Sequence, residues 1–179
     1  IEGEFADLDE NGTINSNDMY YYKKPTPDLT MGLTSKFIYK NFDFSFAAHS
    51  SFGNYMYNDV AARNHNMSDT GIYSSSGEGY FINKPASAIE TNFTQNKSNV
   101  HFSDYYVQDA SFVRIDNISL GYTFKNLFKT IKDGRIYVNV QNPVVFTKYT
   151  GLDPEIFGGI DKDLYPRPIV TMLGLSLKF

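Results

Sequence analysis

The chain has 179 residues, no cysteine, and a formal net charge of −4 without any block of basic residues. The length suits one domain with a core, the charge pattern lacks the footprint of a nucleic-acid binder, and the missing cysteines exclude disulfides and thiolate metal sites. Aromatics reach 16%, with 15 Phe and 14 Tyr but no Trp, yet mean hydropathy is only −0.37, a combination of strand formers and polar residues.

The first element is the stretch "DLDENGTINSND". Set against the helix-loop-helix calcium loop, Asp7, Asp9 and Asn11 fall at ligand positions 1, 3 and 5. Gly12 takes the sharp turn, Thr13 the backbone-carbonyl position and Ile14 the apolar position that follows. Asn15 and Asp18 complete the candidate ligand set, with Asp18 standing where the template has a bidentate Glu, which implies a weaker Ca²⁺ site. Neither flank offers an amphipathic helix, because "MYYYKKPTPD" follows with two prolines. The competing reading is a solvated Asp/Asn/Gly turn that needs no metal.

After this loop the apolar residues recur with period two. "DLTMGLTSKF" sets Leu29, Met31, Leu33 and Phe37 against Thr30, Gly32, Thr34 and Lys36, and "FDFSFAAHSSF" sets Phe42, Phe44, Phe46 and Ala48 against Asp43, Ser45, Ala47 and His49. A tight turn at Lys40 and Asn41 joins the two. In "SFVRIDNISLGYTF", Ile118, Leu120, Tyr122 and Phe124 oppose Asn117, Ser119, Gly121 and Thr123. "RIYVNVQN" sets Ile136, Val138 and Val140 against Tyr137, Asn139 and Gln141, and Pro143 just beyond predicts a bulge or a break in pairing. The last segment, "IVTMLGLSLKF", sets Ile169, Thr171, Leu173, Leu175, Leu177 and Phe179 against Val170, Met172, Gly174, Ser176 and Lys178.

The expected strands therefore cover about 28–39, 42–52, 110–125, 134–147 and 169–179, with loops at about 1–27, 53–109 and 148–168. Connections alternate long and short, as in an outer-membrane β-barrel with short periplasmic turns and long extracellular loops. A structureless loop of nearly sixty residues fits a compact soluble domain poorly. The fold class expected is all-β, the last strands of a large antiparallel transmembrane β-barrel. Five strands cannot close such a barrel, since at least about eight are needed, so the chain is expected to be a piece of a longer polypeptide.

These residues resemble the carboxy-terminal end of SusC/RagA-type TonB-dependent transporters of the Bacteroidota. The stretches "DLDENGTINSND", "PTPDLTMGL", "YKNFDFSF", "VQDASFVRIDNISLGYTF", "RIYVNVQN", "TKYTGLDPE" and "YPRP" carry the resemblance over nearly the whole chain. It implies a barrel of about 22 strands around an amino-terminal plug, with the plug domain absent from these residues. It further implies nutrient uptake of glycan or peptide oligomers across the bacterial outer membrane with a SusD-like surface lipoprotein, energised by TonB through the plug. The terminal Phe179 would then be part of the signal read by the barrel-assembly machinery, and Asp7–Asp18 would lie in an external loop.

Catalysis finds no support in the sequence: His49, His65 and His101 are scattered, and no nucleophile motif or phosphate-cradling loop is present. Asp153 and Glu155, flanking Pro154, read as a solvated turn rather than a catalytic pair. The protein is expected not to be an enzyme and to carry no organic cofactor. N-x-S/T sites such as Asn66, Asn92, Asn96 and Asn117 carry no weight in an outer-membrane reading. The alternatives are a soluble, calcium-stabilised β-sandwich that binds glycan, and a transporter-like structural subunit of an outer-membrane assembly.

Overall fold

The computed structural model describes residues 6–13, 15–65, 86, 103–128, 131–162 and 164–178. Ile14, His101, Phe179, the sequons at Asn66, Asn92 and Asn96, and most of the 53–109 stretch lie outside the described residues. The chain forms two compact units. The larger holds residues 26–54, 109–155 and 165–179; the smaller holds residues 1–25, 55–108 and 156–164.

The larger unit is a five-stranded antiparallel sheet in the order β1 (Leu29–Tyr39), β2 (Phe42–Phe52), β5 (Phe112–Phe128), β6 (Ile131–Thr147) and β8 (Val170–Lys178). The other strands, β3 (Tyr55–Asn58), β4 (Val107–Asp109) and β7 (Ile160–Asp161), build a separate small sheet. Strands β1 and β2 are in register from Leu29↔Phe52 to Tyr39↔Phe42. Lys40 closes this hairpin with a left-handed φ of 53°, the type of turn that matches the right-handed twist of paired strands. Both β5 and β6 run for 17 residues, about 56 Å at 3.3 Å per residue, which is longer than a membrane-crossing segment alone requires.

Pairing fixes the two faces. Phe44↔Leu120, Leu120↔Val138 and Val138↔Leu173 place apolar residues side by side across four strands. Ser45↔Ser119, Ser119↔Asn139 and Asn139↔Met172 run across the opposite face. Leu33, Phe37, Phe42, Leu120, Ile136, Leu173 and Leu175 are all exposed, Leu173 to 77%. A contiguous apolar face of this extent would be a liability in water and suits a hydrocarbon environment. It does not fit a soluble β-sandwich, whose apolar sheet face is covered by a second sheet.

The expected irregularity at Pro143 is present. Asn117 pairs with Gln141 but Ile115 with Val144, so Asp116 on β5 faces Asn142 and Pro143 on β6. Asn142 takes a φ of 51°. Asp116 is also the residue skipped in the pairing of β5 with β2, where Ala47↔Asn117 is followed by Ala48↔Ile115. Such a bulge re-aims a side chain, and it turns Asp116 toward His49.

Three expectations about the connections need correction. The strand ends read at 125 and 134 extend to Phe128 and Ile131, which shortens the connection between them. The stretches read as loops at 53–109 and 148–168 contain β3, β4 and β7 and the helix α1 (Asp59–His65). These pieces are too short for a periodic signal. In the smaller unit, Ala62 and Tyr106 are fully buried and packed by Tyr57 and Ala61. Among the described residues no helix is long and apolar enough to cross a membrane.

Candidate functional site

In the smaller unit, the Asp-rich loop folds around its own backbone. Asp7 accepts the N–H of Asn11 at 3.2 Å and of Gly12 at 2.6 Å. Asp9 accepts Asn11 Nδ2 at 2.7 Å. Asp18, at the end of the 3-10 turn Ser16–Asp18, accepts from Leu8 N at 2.8 Å and Asn15 N at 2.7 Å. The N–H of Asn15, and to a lesser extent those of Leu8 and Asp9, hold the Asp18 carboxyl below the usual carboxylate range. Gly12 supplies the sharp turn with φ 77°, which a side chain would strain.

This folding brings oxygens of Asp7, Asp9 and Asp18 within 4.8 Å of one another. Apart from the Asn11 side-chain amide on Asp9, their partners here are backbone N–H groups, and three hard oxygen donors at that spacing fit a calcium ion. The structure does not add Thr13 and Asn15 in the same way: Asn15 Nδ2 donates to the Thr13 carbonyl at 2.9 Å, and Asn15 Oδ1 accepts from Asn17 N. The Asn11 side-chain oxygen likewise accepts from Thr13 N at 2.8 Å.

Nearby in the same unit, "MYYYKK" is an exposed aromatic run, with Tyr21 fully exposed. Tyr20 donates its hydroxyl to Asp104 at 2.6 Å, which raises the Tyr20 pKa. Lys23 lies over the rings of Tyr22 and Tyr55 at 5.3 and 4.8 Å. Deeper in, burial pushes the Tyr106 hydroxyl up to about 12 and lowers the His65 pKa, and the two meet at 3.3 Å. His65 is a satisfied core histidine.

In the larger unit, the polar face of the sheet carries two charged assemblies. Near the tight turn, Arg135 on β6 donates twice to Asp43 on β2, at 3.0 and 2.6 Å, and its guanidinium stacks on Tyr137 at 4.7 Å. The row passes over two glycines. A Cβ at Gly121 would lie 2.5 Å from Arg135 Nη2 and 2.6 Å from Asp43 Oδ1, and one at Gly174 would overlap the Tyr137 ring. Absent side chains on β5 and β8 thus let a planar layer lie flat on the wall. Midway along the strands Asn117 and Asn139 exchange amide hydrogen bonds at 3.0 and 3.5 Å.

At the other end, Asp153 and Glu155 depart from the solvated-turn expectation. Asp153 is 3% exposed and bonds Arg114 on β5 at 2.5 Å, while also accepting the N–H of Glu155 at 2.9 Å. Glu155 Oε2 has no aligned hydrogen-bond partner yet lies 2.9 to 3.4 Å from nitrogens of Arg167, His49 and Arg114. We read those contacts as charge attraction rather than directed bonds. The cluster was invisible in the sequence because Arg114 and Asp153 stand 39 residues apart.

An antiparallel sheet with one apolar exposed face, one polar charged face and 17-residue strands defines the wall of a transmembrane β-barrel. Comparison with known proteins places it further. No family model matches the chain. It is 47% identical to the TonB-dependent receptor SusC of Bacteroides thetaiotaomicron, over 100% of this chain and 18% of that protein. It is 33% identical to the TonB-dependent receptor P3 of Formosa agariphila, over 98% of this chain and 19% of that protein. Among solved structures, the RagAB peptide transporter superposes with a TM-score of 0.70 at 22% identity, over 93% of this chain and 19% of that one. The RagAB peptide importer in its open-open state gives 0.68 at 21% identity, over 97% and 20%. The chain belongs to the SusC/RagA-type TonB-dependent receptors, corresponds to the carboxy-terminal part of their outer-membrane barrel, and spans about a fifth of the length of the relatives it matches. These relatives are receptors and transporters, not enzymes.

Proposed function

We propose that the protein to which these residues belong imports oligomeric nutrients, glycan or peptide, through the outer membrane in a TonB-dependent manner, together with a SusD-like surface lipoprotein. Kinship over the whole chain at 47% identity to a TonB-dependent receptor carries this reading, and the two-faced sheet supports it physically. The remaining strands of an approximately 22-stranded barrel would pair with the free edges of β1 and β8, since an unpaired edge in lipid costs several kcal/mol per unsatisfied backbone group. The lumen-facing Ser119, Asn117, Asn139 and Gln141 offer hydrogen bonds to water and to a passing polar chain, and no bond of the cargo needs to break. The RagAB neighbours are a peptide importer by name, which supports oligopeptides as one cargo class; oligosaccharides are the other.

In the same reading, the segments around Asp7–Asp18, the 53–109 stretch and the 148–168 stretch face outward, and Asp7, Asp9 and Asp18 hold Ca²⁺ that fixes the first of them. Asn11, Thr13 and Asn15 join as ligands once the Asn15–Thr13 hydrogen bond yields. The test is uptake of labelled oligosaccharides and of labelled oligopeptides by cells carrying the full-length transporter, with and without the proton gradient. Gradient-dependent accumulation of either class, lost when the gene is deleted, is the expected outcome. Gradient-independent leakage of both classes would leave the structural-subunit alternative as the better account.

A further inference from the structure

At the end of the sheet away from the Lys40 turn, six ionisable side chains from four parts of the chain converge on one another. Arg114 and Asp153 form the buried centre, 2.5 Å apart, with side chains 5% and 4% exposed. Arg167 reaches Asp153 at 3.2 Å and Glu155 at 2.9 Å, and Arg114 Nε lies 3.4 Å from Glu155. The His49 ring stands between two carboxylates, Nδ1 at 2.8 Å from Asp116 and Nε2 at 3.3 Å from Glu155. The Phe112 ring stands perpendicular to it, with ring centres 5.3 Å apart. Directly opposite on β1 is Gly32, flanked on the same face by Thr30 and Thr34, so that strand presents no charge to the imidazole.

Two guanidiniums therefore face three carboxylates, and the sixth group sets the balance. With two ring protons His49 neutralises the set, hydrogen-bonding Asp116 through Nδ1 and attracting Glu155 by charge at 3.3 Å. With one, a negative charge is left over and one carboxylate faces a ring lone pair. The partners also differ in where they are attached: His49, Arg114 and Asp116 belong to β2 and β5, whereas Asp153 and Glu155 belong to the "GLDPE" segment after β6. Arg114–Asp153 is fixed in charge near neutral pH because a guanidinium does not titrate there. His49 is the variable fastening.

We infer that His49 is a proton-operated clasp that holds the Leu152–Glu155 segment against the polar wall of the sheet, tight when the imidazole is doubly protonated and looser when it is not. The bulge at Asp116 exists to complete it, since a regular strand would turn that carboxylate to the apolar face. The device is independent of which cargo the transporter carries.

The test is hydrogen exchange of the full-length transporter in detergent across about pH 5 to 8, the range in which histidine changes charge, corrected for intrinsic exchange rates. Peptides covering Leu152–Glu155 are compared with peptides from the middle of β6. In the unmodified protein, exchange of the Leu152–Glu155 segment should rise by up to about fivefold as pH is raised, the span of one partly exposed ion pair, while β6 stays level. In His49→Gln the segment should exchange at the faster rate throughout, and in Glu155→Gln the profile should also be flat. A rise of the same size in His49→Gln, or a flat profile in the unmodified protein, overturns the inference.

Discussion

Adding one methyl group at Gly174 tests whether the polar wall is built as a packed layer. Gly174 on β8 lies directly opposite Tyr137 on β6, and a Cβ there would overlap Cζ and Cε1 of the ring. The ring is less free to yield than a flexible side-chain end, because Arg135 packs over it at 4.7 Å while held by Asp43. Gly174→Ala should therefore act as overpacking, costing about 1–3 kcal/mol. The overlap is confined to the β6–β8 seam, so the cost should appear as local opening of that seam. At 1.4 kcal/mol per tenfold, exchange of the Val170–Lys178 amides in the full-length transporter should speed up by about fivefold to a hundredfold. In a Tyr137→Ala background the methyl meets open space, and Gly174→Ala should be neutral or slightly stabilising by removing glycine's backbone freedom. An equal penalty for Gly174→Ala in both backgrounds would mean that Tyr137 does not pack over Gly174.

Asp153→Leu leaves Arg114 buried without its closest partner and should destabilise the segment by about 3–5 kcal/mol, whereas Arg114→Met with Asp153→Leu should recover most of the loss; equal losses in thermal unfolding of the single and double variants would contradict this. Calcium removal by a chelator should speed proteolysis within Asp7–Asp18, and titration back should protect it with half-saturation at about 0.1–1 mM, the range of weak extracellular sites. Asp7→Asn should abolish that protection. In metal-free protein the lowered Asp18 pKa has a definite sign: its stabilisation is present above the unfolded value of about 3.9 and is lost as pH falls through the lower folded value. Protease resistance of the loop should thus persist at pH 5 and fade below about pH 4, and Asp18→Asn should remove that dependence.

The long strands were legible because one face of each meets an apolar medium, which imposes alternation along each stretch between bulges. Pro143 announced a defect in the ladder, yet nothing local showed that the compensating residue would be Asp116 or that it would turn toward His49. Strands of two to four residues in the connections carry too few side chains for any period to register. The Asp-rich loop was legible as a motif, since Asp7, Asp9, Asn11 and Gly12 are spaced within one turn; which oxygens converge depends on the loop's own hydrogen bonds. Asp153 and Glu155 misled for a physical reason. Carboxylates beside proline are usually solvated, and only the register of β5 brings Arg114 beneath them. Gly121 and Gly174 gave no signal either, because their role is the room they leave for Arg135 and Tyr137 on other strands.

In the barrel, Leu33, Leu120 and Leu173 should face lipid while Ser45, Ser119 and Asn139 face the interior. These residues contain no cysteine, and with any cysteine elsewhere in the full-length protein replaced, single cysteines bearing a fluorophore can be placed at each position and the protein reconstituted in bilayers containing lipids brominated along the acyl chain. Strong quenching is expected at the first three positions and little at the other three. Equal quenching of the two sets, or stronger quenching at Ser45, Ser119 and Asn139, would contradict it.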